Sequence, residues 1–144
     1  MRHERKGPRG AREETMSGVR RFEDLVAWQK ARKLVVAVYR VSRRGDFGKD
    51  LGLSGQIQRA AVSLPSNIAE GFERESRAEF QRSLSTAKGS CAEVRTQLYL
   101  ASDLEYLSET EFSPLLAQAE EVSRIIGGLR MAVTKQRDWR RRDA

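Results

Sequence analysis

The chain has 144 residues, of which 39% are hydrophobic and 33% charged. That suits one domain with one modest core, and three prolines with plentiful Ala, Leu, Arg, Glu and Gln lean the composition toward helix. No apolar run approaches the ~18 residues of a membrane span, the opening Met1–Gly10 has no apolar stretch behind it and does not read as a secretory signal, and the one cysteine, Cys91, forms no intramolecular disulfide, so a reducing cytoplasm is the expected compartment.

The formal charge of +7 is concentrated at the ends. Residues 1–21 carry a net +4 and residues 135–144 a net +3, whereas 22–134 is neutral. Both ends read as basic tails, the first of them unstructured because it holds charge, Gly and Pro with few apolar residues. Met16 lies inside it as a second possible translation start.

A first helix is expected from about Phe22 to Arg43. Ala27, Ala31, Leu34, Val35, Val38 and Val41 follow three–four spacing, and Leu25, Trp28, Val36 and Tyr39 form a second apolar strip that calls for another neighbour, in the same bundle or in a second copy. Gly45 and Gly48 then stop the helix.

A second helix, from Lys49 or Asp50 to Phe72, carries Leu53, Ile57, Ala60, Ala61, Leu64, Ile68 and Phe72 on one face. The pattern stays in phase through Pro65, which predicts one kinked helix, with Ser63 or Ser66 satisfying the freed backbone groups. Gly71 reads as a stop signal.

Ser76 and Glu79 form a capping-box pattern ahead of Phe80. The third helix then shows Phe80, Leu84, Ala87, Cys91, Val94, Leu98 and Ala101 on one face, and Gly89 in its middle suggests close approach of another helix. For the fourth helix, Ser108 with Glu111 and Ser113 with Pro114 are competing starts. The second is expected, because it puts proline at the first helical position. Its face is Leu115, Ala119, Val122, Ile126, Leu129 and Val133, and Gly127-Gly128 invite close packing or weaken the helix. The expected fold is all-α, an antiparallel up-down-up-down four-helix bundle.

Chemistry is sparse. The single histidine, His3, lies in the tail, so zinc, di-iron and Ser-His arrangements are not expected, nor is any cofactor. No phosphate-binding glycine loop occurs. Glu70 and Glu73 read as surface carboxylates and Cys91 as a buried structural thiol.

Two surfaces stand out. Gln56, Arg59, Ser63, Ser66, Asn67 and Glu70 form a polar strip on the second helix. It is either an exposed face or a bonded network (Arg59, Ser63, Asn67 and Glu70) at a helix or subunit interface, in which Arg59 pairs with Glu70. Lys30, Arg32, Lys33, Arg40, Arg43, Arg44 and Lys49 give residues 22–49 a net +4, against −3 for 105–134. These seven are either ordinary solvated side chains or a surface for RNA or DNA, read through phosphates with little sequence preference.

Three stretches carry a family resemblance: Phe22-Glu23-Asp24-Leu25 with Trp28-Gln29-Lys30-Ala31; Gly52-Leu53 with the run from Gln56 to Phe72; and Lys88-Gly89-Ser90 with Glu93. Together they resemble the four-helix-bundle family first noticed as reading frames in intervening sequences of bacterial 23S rRNA genes, which is similar to the accessory proteins of diversity-generating retroelements. The resemblance spans about 22–134. It implies a ring-like homopentamer and, from the retroelement relatives, nucleic-acid and reverse-transcriptase partners bound through a basic surface. The long basic tails are not part of the family pattern. The expectation is a non-enzymatic homo-oligomeric accessory protein that binds RNA or DNA; the alternative is a protein-interaction scaffold, for a reverse transcriptase or a ribosomal component.

Overall fold

A computed structural model describes Met16 and residues 18–135, and the rest of the two basic tails, with His3 and Arg140-Arg141-Arg142, lies outside the described residues. A 3-10 turn, Phe22–Asp24, is followed by α1 (Val26–Ser42), the short α2 (Gly45–Lys49), α3 (Leu51–Glu73), α4 (Arg77–Asp103) and α5 (Glu109–Lys135). No strand occurs among the described residues, and the four long helices pack antiparallel as a four-helix bundle. Both α1 and α4 touch α3 and α5, so the four stand at the corners of a square. The α3–α4 seam is the most extensive and the α1–α5 seam the thinnest.

The three–four periodicity buries the expected faces. Leu34, Ile57, Leu64, Ile68, Leu84, Leu98, Ile126 and Leu129 are all fully buried, each such side chain contributing about 1.5–3 kcal/mol of transfer free energy. Ser76 caps α4 as expected, its Oγ accepting from the Glu79 amide at 3.3 Å. The opposite end of α4's partner is tied down from α4 itself. Arg77 donates to the Thr134 carbonyl at 3.2 Å, an acceptor that the last turn of a helix leaves open, and Gln81 donates to the Arg130 carbonyl at 2.7 Å and to the Thr134 hydroxyl at 2.7 Å.

Several expectations change. Met16 is 2% exposed and joins the core, with Val19 and Phe22 packed against it. The C-terminal part of the segment read as a basic tail is therefore a strap across the bundle end. Three apolar residues at spacings of three, scattered among arginines, are too sparse to stand out in a polar sequence. The Asp24 carboxylate pins the strap by accepting from the Arg20 and Arg21 amides at 3.1 and 3.2 Å. The first long helix starts at Val26, because Leu25 takes extended backbone (φ −72°, ψ 126°) and buries its side chain completely.

The glycine stop after α1 also holds a helical turn of its own. Gly45 takes φ +52°, and α2 then swings Phe47 inward, where it stacks on Tyr106 at 5.5 Å. Helix α3 runs unbroken through Pro65. Ser63 does not serve the proline, since its hydroxyl bonds to Ser90 across the α3–α4 seam. Gly71 lies inside α3 and is not a stop: a Cβ there would stand 2.5 Å from Ser83 Cβ.

The start of the last helix is the other candidate. Helix α5 begins at Glu109, and Ser108 and Glu111 bond reciprocally: Ser108 Oγ accepts from the Glu111 amide at 3.3 Å, while Glu111 Oε1 accepts from the Ser108 amide at 3.1 Å. Pro114 sits in the second turn on the exposed side. The carbonyl it leaves without a donor belongs to Thr110, also exposed, so water can serve it and two satisfied cap donors outweigh one lost bond.

Candidate functional site

The thin α1–α5 seam opens outward into a groove. One stretch of about 650 Å³ is lined by Trp28, Gln29, Arg32, Lys33, Val36, Ala37, Arg40 and Gln118. A second, about 590 Å³, continues past Arg40, Val41 and Arg44 to Glu111, Pro114 and Leu115. Lining residues of α1 recur every three or four positions, so one face of a single helix supplies the basic wall.

The seven basic candidates divide by partner. Lys30 pairs with Glu121 at 3.4 Å and Arg44 with Glu111 at 2.6 Å, both across the seam to α5. These two join the acidic and basic helices. Glu111's carboxyl is held below the usual carboxylate range first by the Ser108 amide and then by Arg44. Arg32, Lys33 and Arg40 line the groove with no carboxylate within ion-pair distance among the described residues. Arg43 and Lys49 are exposed at the α1–α2 corner, outside the groove lining.

The aromatic part of the site was read from the sequence only as apolar surface. Phe22 meets Trp28 edge-on, centroids 5.2 Å apart, and the Arg32 guanidinium lies over the Trp28 ring at 5.4 Å. The spacing of Trp28 and Arg32, four residues on one helix, is the signal that would have found this pair. The second strip of α1 is accordingly less bare than expected. Leu25 is fully buried, Trp28 and Tyr39 are half-buried, and Val36 alone of the four is exposed, at 45%.

Within one chain the polar strip on α3 does not close into a single network. Glu70 accepts from Arg74 at 2.9 Å on its own helix. Arg59 folds back beside Gly55. Eleven residues put Arg59 and Glu70 about 16 Å apart along the axis, beyond direct pairing. Ser63 bonds to Ser90, and Asn67 donates to the Ser63 carbonyl at 2.8 Å. The strip therefore divides into an inner seam with α4 and an outer solvated face.

Glu70 and Glu73 are both exposed. Cys91 is fully buried, donates to the Ala119 carbonyl at 3.1 Å, and has its thiol pushed up by burial, which makes it a poor nucleophile at neutral pH. No group of three or more potential metal-ligating side chains gathers among the described residues, and no described helix is long and apolar enough to cross a membrane.

Geometry and sequence together define a four-helix bundle with a basic, aromatic-backed groove along its first long helix. Residues 23–128 match the model of the 23S rRNA-intervening sequence protein family, and the chain belongs to that family. It is similar to a crystallised Bacteroides thetaiotaomicron protein of unknown function, described as from the S23 ribosomal protein family. The two are 23% identical with a TM-score of 0.67, over 73% of this chain and 98% of that one, a likeness of fold. No curated protein matches the chain.

Proposed function

We propose that this protein is a non-enzymatic, self-assembling accessory protein that holds RNA or DNA by its phosphates in the α1–α5 groove. The observation that carries the reading is the set Arg32, Lys33 and Arg40, three cations on one helix face without a carboxylate partner among the described residues. Fixed cations of this kind are matched most simply by a regular polyanion, with affinity that falls steeply with salt.

Self-assembly has separate support. Gly89 on α4 and Gly128 on α5 have nothing within 4 Å of where a Cβ would be, and Tyr99, Leu100 and Met131 are 52%, 46% and 61% exposed. Glycine inside a helix costs up to about 1 kcal/mol, and close contact with a second copy offsets that cost. The family resemblance makes a homopentamer the proposed state, so light scattering is expected to give about five times the chain mass of 16.3 kDa.

The test of binding is titration of the full chain with RNA and DNA oligomers at low and moderate salt. Lys33→Glu with Arg40→Glu should weaken binding at least tenfold and flatten its salt dependence. Replacing Arg140, Arg141 and Arg142 with Gln should have the smaller effect. If only the tail replacement weakens binding, the groove is not the binder. The exposed apolar end of α4, Tyr99, Leu100 and Leu104, favours a second reading, a scaffold for a protein such as a reverse transcriptase or a ribosomal component. Stoichiometric copurification with one protein, free of nucleic acid, would select it.

A further inference from the structure

Resting on the nucleic-acid reading of the groove, we infer that Arg32, lying over the Trp28 ring that Phe22 buttresses edge-on, is a platform for an unpaired base, so that the groove takes single-stranded rather than duplex nucleic acid. Three features carry this. The stack is built in order: Phe22 is edge-on to Trp28, Trp28 lies under Arg32, and Arg32 is exposed with its guanidinium at the groove. A guanidinium is itself planar, and one lying over an indole offers a cationic face on which any base stacks.

The groove beside it is recessed, about 650 Å³, and has an apolar floor in Val36 and Ala37. A volume of that order holds one small planar molecule. A duplex keeps its base faces inside the helix and offers this floor nothing, whereas a single strand turns its bases outward.

The remaining cations lead away from the platform along the groove. Lys33 and Arg40 lie on the groove face of α1, seven residues and about 10 Å apart along the axis. Phosphates of a strand running from the stacked base toward Arg40 then meet both cations. Neither needs to give up an existing carboxylate partner among the described residues.

The test separates planarity from charge. Arg32→Lys keeps the cation and removes the flat face, at an exposed position where folding is not at issue. With the full-length protein, oligoadenylate and oligodeoxyadenylate are compared with the corresponding duplexes by fluorescence anisotropy. Both single strands are expected to bind more tightly than their duplexes. Arg32→Lys is expected to weaken single-strand binding about fivefold or more while leaving duplex binding and the salt slope in place. Preference for the RNA or the DNA strand identifies the source of the base. Equal affinity for single strand and duplex, or an Arg32→Lys protein that binds single strands like the parent, overturns the platform. The phosphate reading then stands if Lys33→Glu with Arg40→Glu still weakens binding. Absence of binding to all four probes overturns both.

Discussion

Gly71 of α3 lies directly against Ser83 of α4: a Cβ on Gly71 would be 2.5 Å from the Ser83 Cβ and 3.1 Å from Phe80 Cδ1. The broadest seam of the bundle therefore depends on a missing side chain. Gly71→Ala should destabilise the protein by about 1–3 kcal/mol through overpacking. Gly55→Ala, which would meet only the flexible end of Arg59, should be neutral or stabilising by up to about 1 kcal/mol. Urea midpoints of the two variants compare them directly, and equal midpoints would show that α3 and α4 slide apart freely.

The choice between two helix starts has its own measurable consequence. Ser108 makes the cap bonds to Glu111, and Ser113 only a side-chain bond to Glu109 at 2.7 Å. Ser108→Ala should cost about 1 kcal/mol, and Ser113→Ala no more than a few tenths. A larger loss at Ser113 in thermal melts would restore the later start.

Acid should unfold this protein through a few identifiable carboxylates. Asp50 is held below the usual range by the Leu53 amide and then by the Tyr106 hydroxyl, which donates at 2.9 Å. Asp24 is lowered by the Arg20 and Arg21 amides, and Glu111 by the Ser108 amide and Arg44. A depressed folded pKa favours the carboxylate in the folded state. Its stabilisation is complete above about pH 4 and disappears as pH falls through the folded values. Asp50→Asn keeps a competent cap and should flatten the acid limb of a stability–pH profile. Tyr106, raised by its bond to Asp50, has the opposite sign: its share is complete below about pH 10 and is lost as pH rises through its folded pKa. Tyr106→Phe should therefore change both limbs. An acid limb identical in Asp50→Asn and the parent would remove Asp50 from the account.

Gly89 tests assembly. Nothing in the same chain stands within 4 Å of a Cβ there, so Gly89→Ala should leave the single chain's fold intact, while a second copy packed closely on this glycine should be held less tightly. Gly89→Arg should lower the mass seen by light scattering if α4 faces a second copy. An unchanged mass would place the contact elsewhere.

The sequence was most legible where one period governed. The buried residues of α3 and α4 recur at three–four spacing from Ser54 to Phe72 and from Phe80 to Ala101, and both core faces follow from that rhythm. It was least legible where a local bond decided between patterns that look alike. Ser108 and Ser113 both precede acceptable helices, and only the reciprocal contact with Glu111 separates them. Met16 was hidden because its burial depends on a bundle end that no local pattern describes. At the groove, the basic residues were all visible on α1, but their partners were not. Glu111 and Glu121 follow Arg44 and Lys30 by 67 and 91 positions, so a chain-local reading cannot tell neutralised cations from available ones. Within one chain Arg59 and Glu70 do not meet for a simpler reason, since a shared helix face is not a shared location.

The α1–α5 seam joins the first long helix to the last and is the thinnest of the four. Its residues are also the farthest apart along the chain, so the entropy of bringing them together is the largest. Such a seam closes late and opens early, while the α3–α4 hairpin, built from neighbours, persists. Amide exchange should therefore be faster along α1 than along α3 and α4. The bundle would then breathe along the side where its cations lie, and a strand occupying that crevice would act as a clasp on the whole barrel of helices.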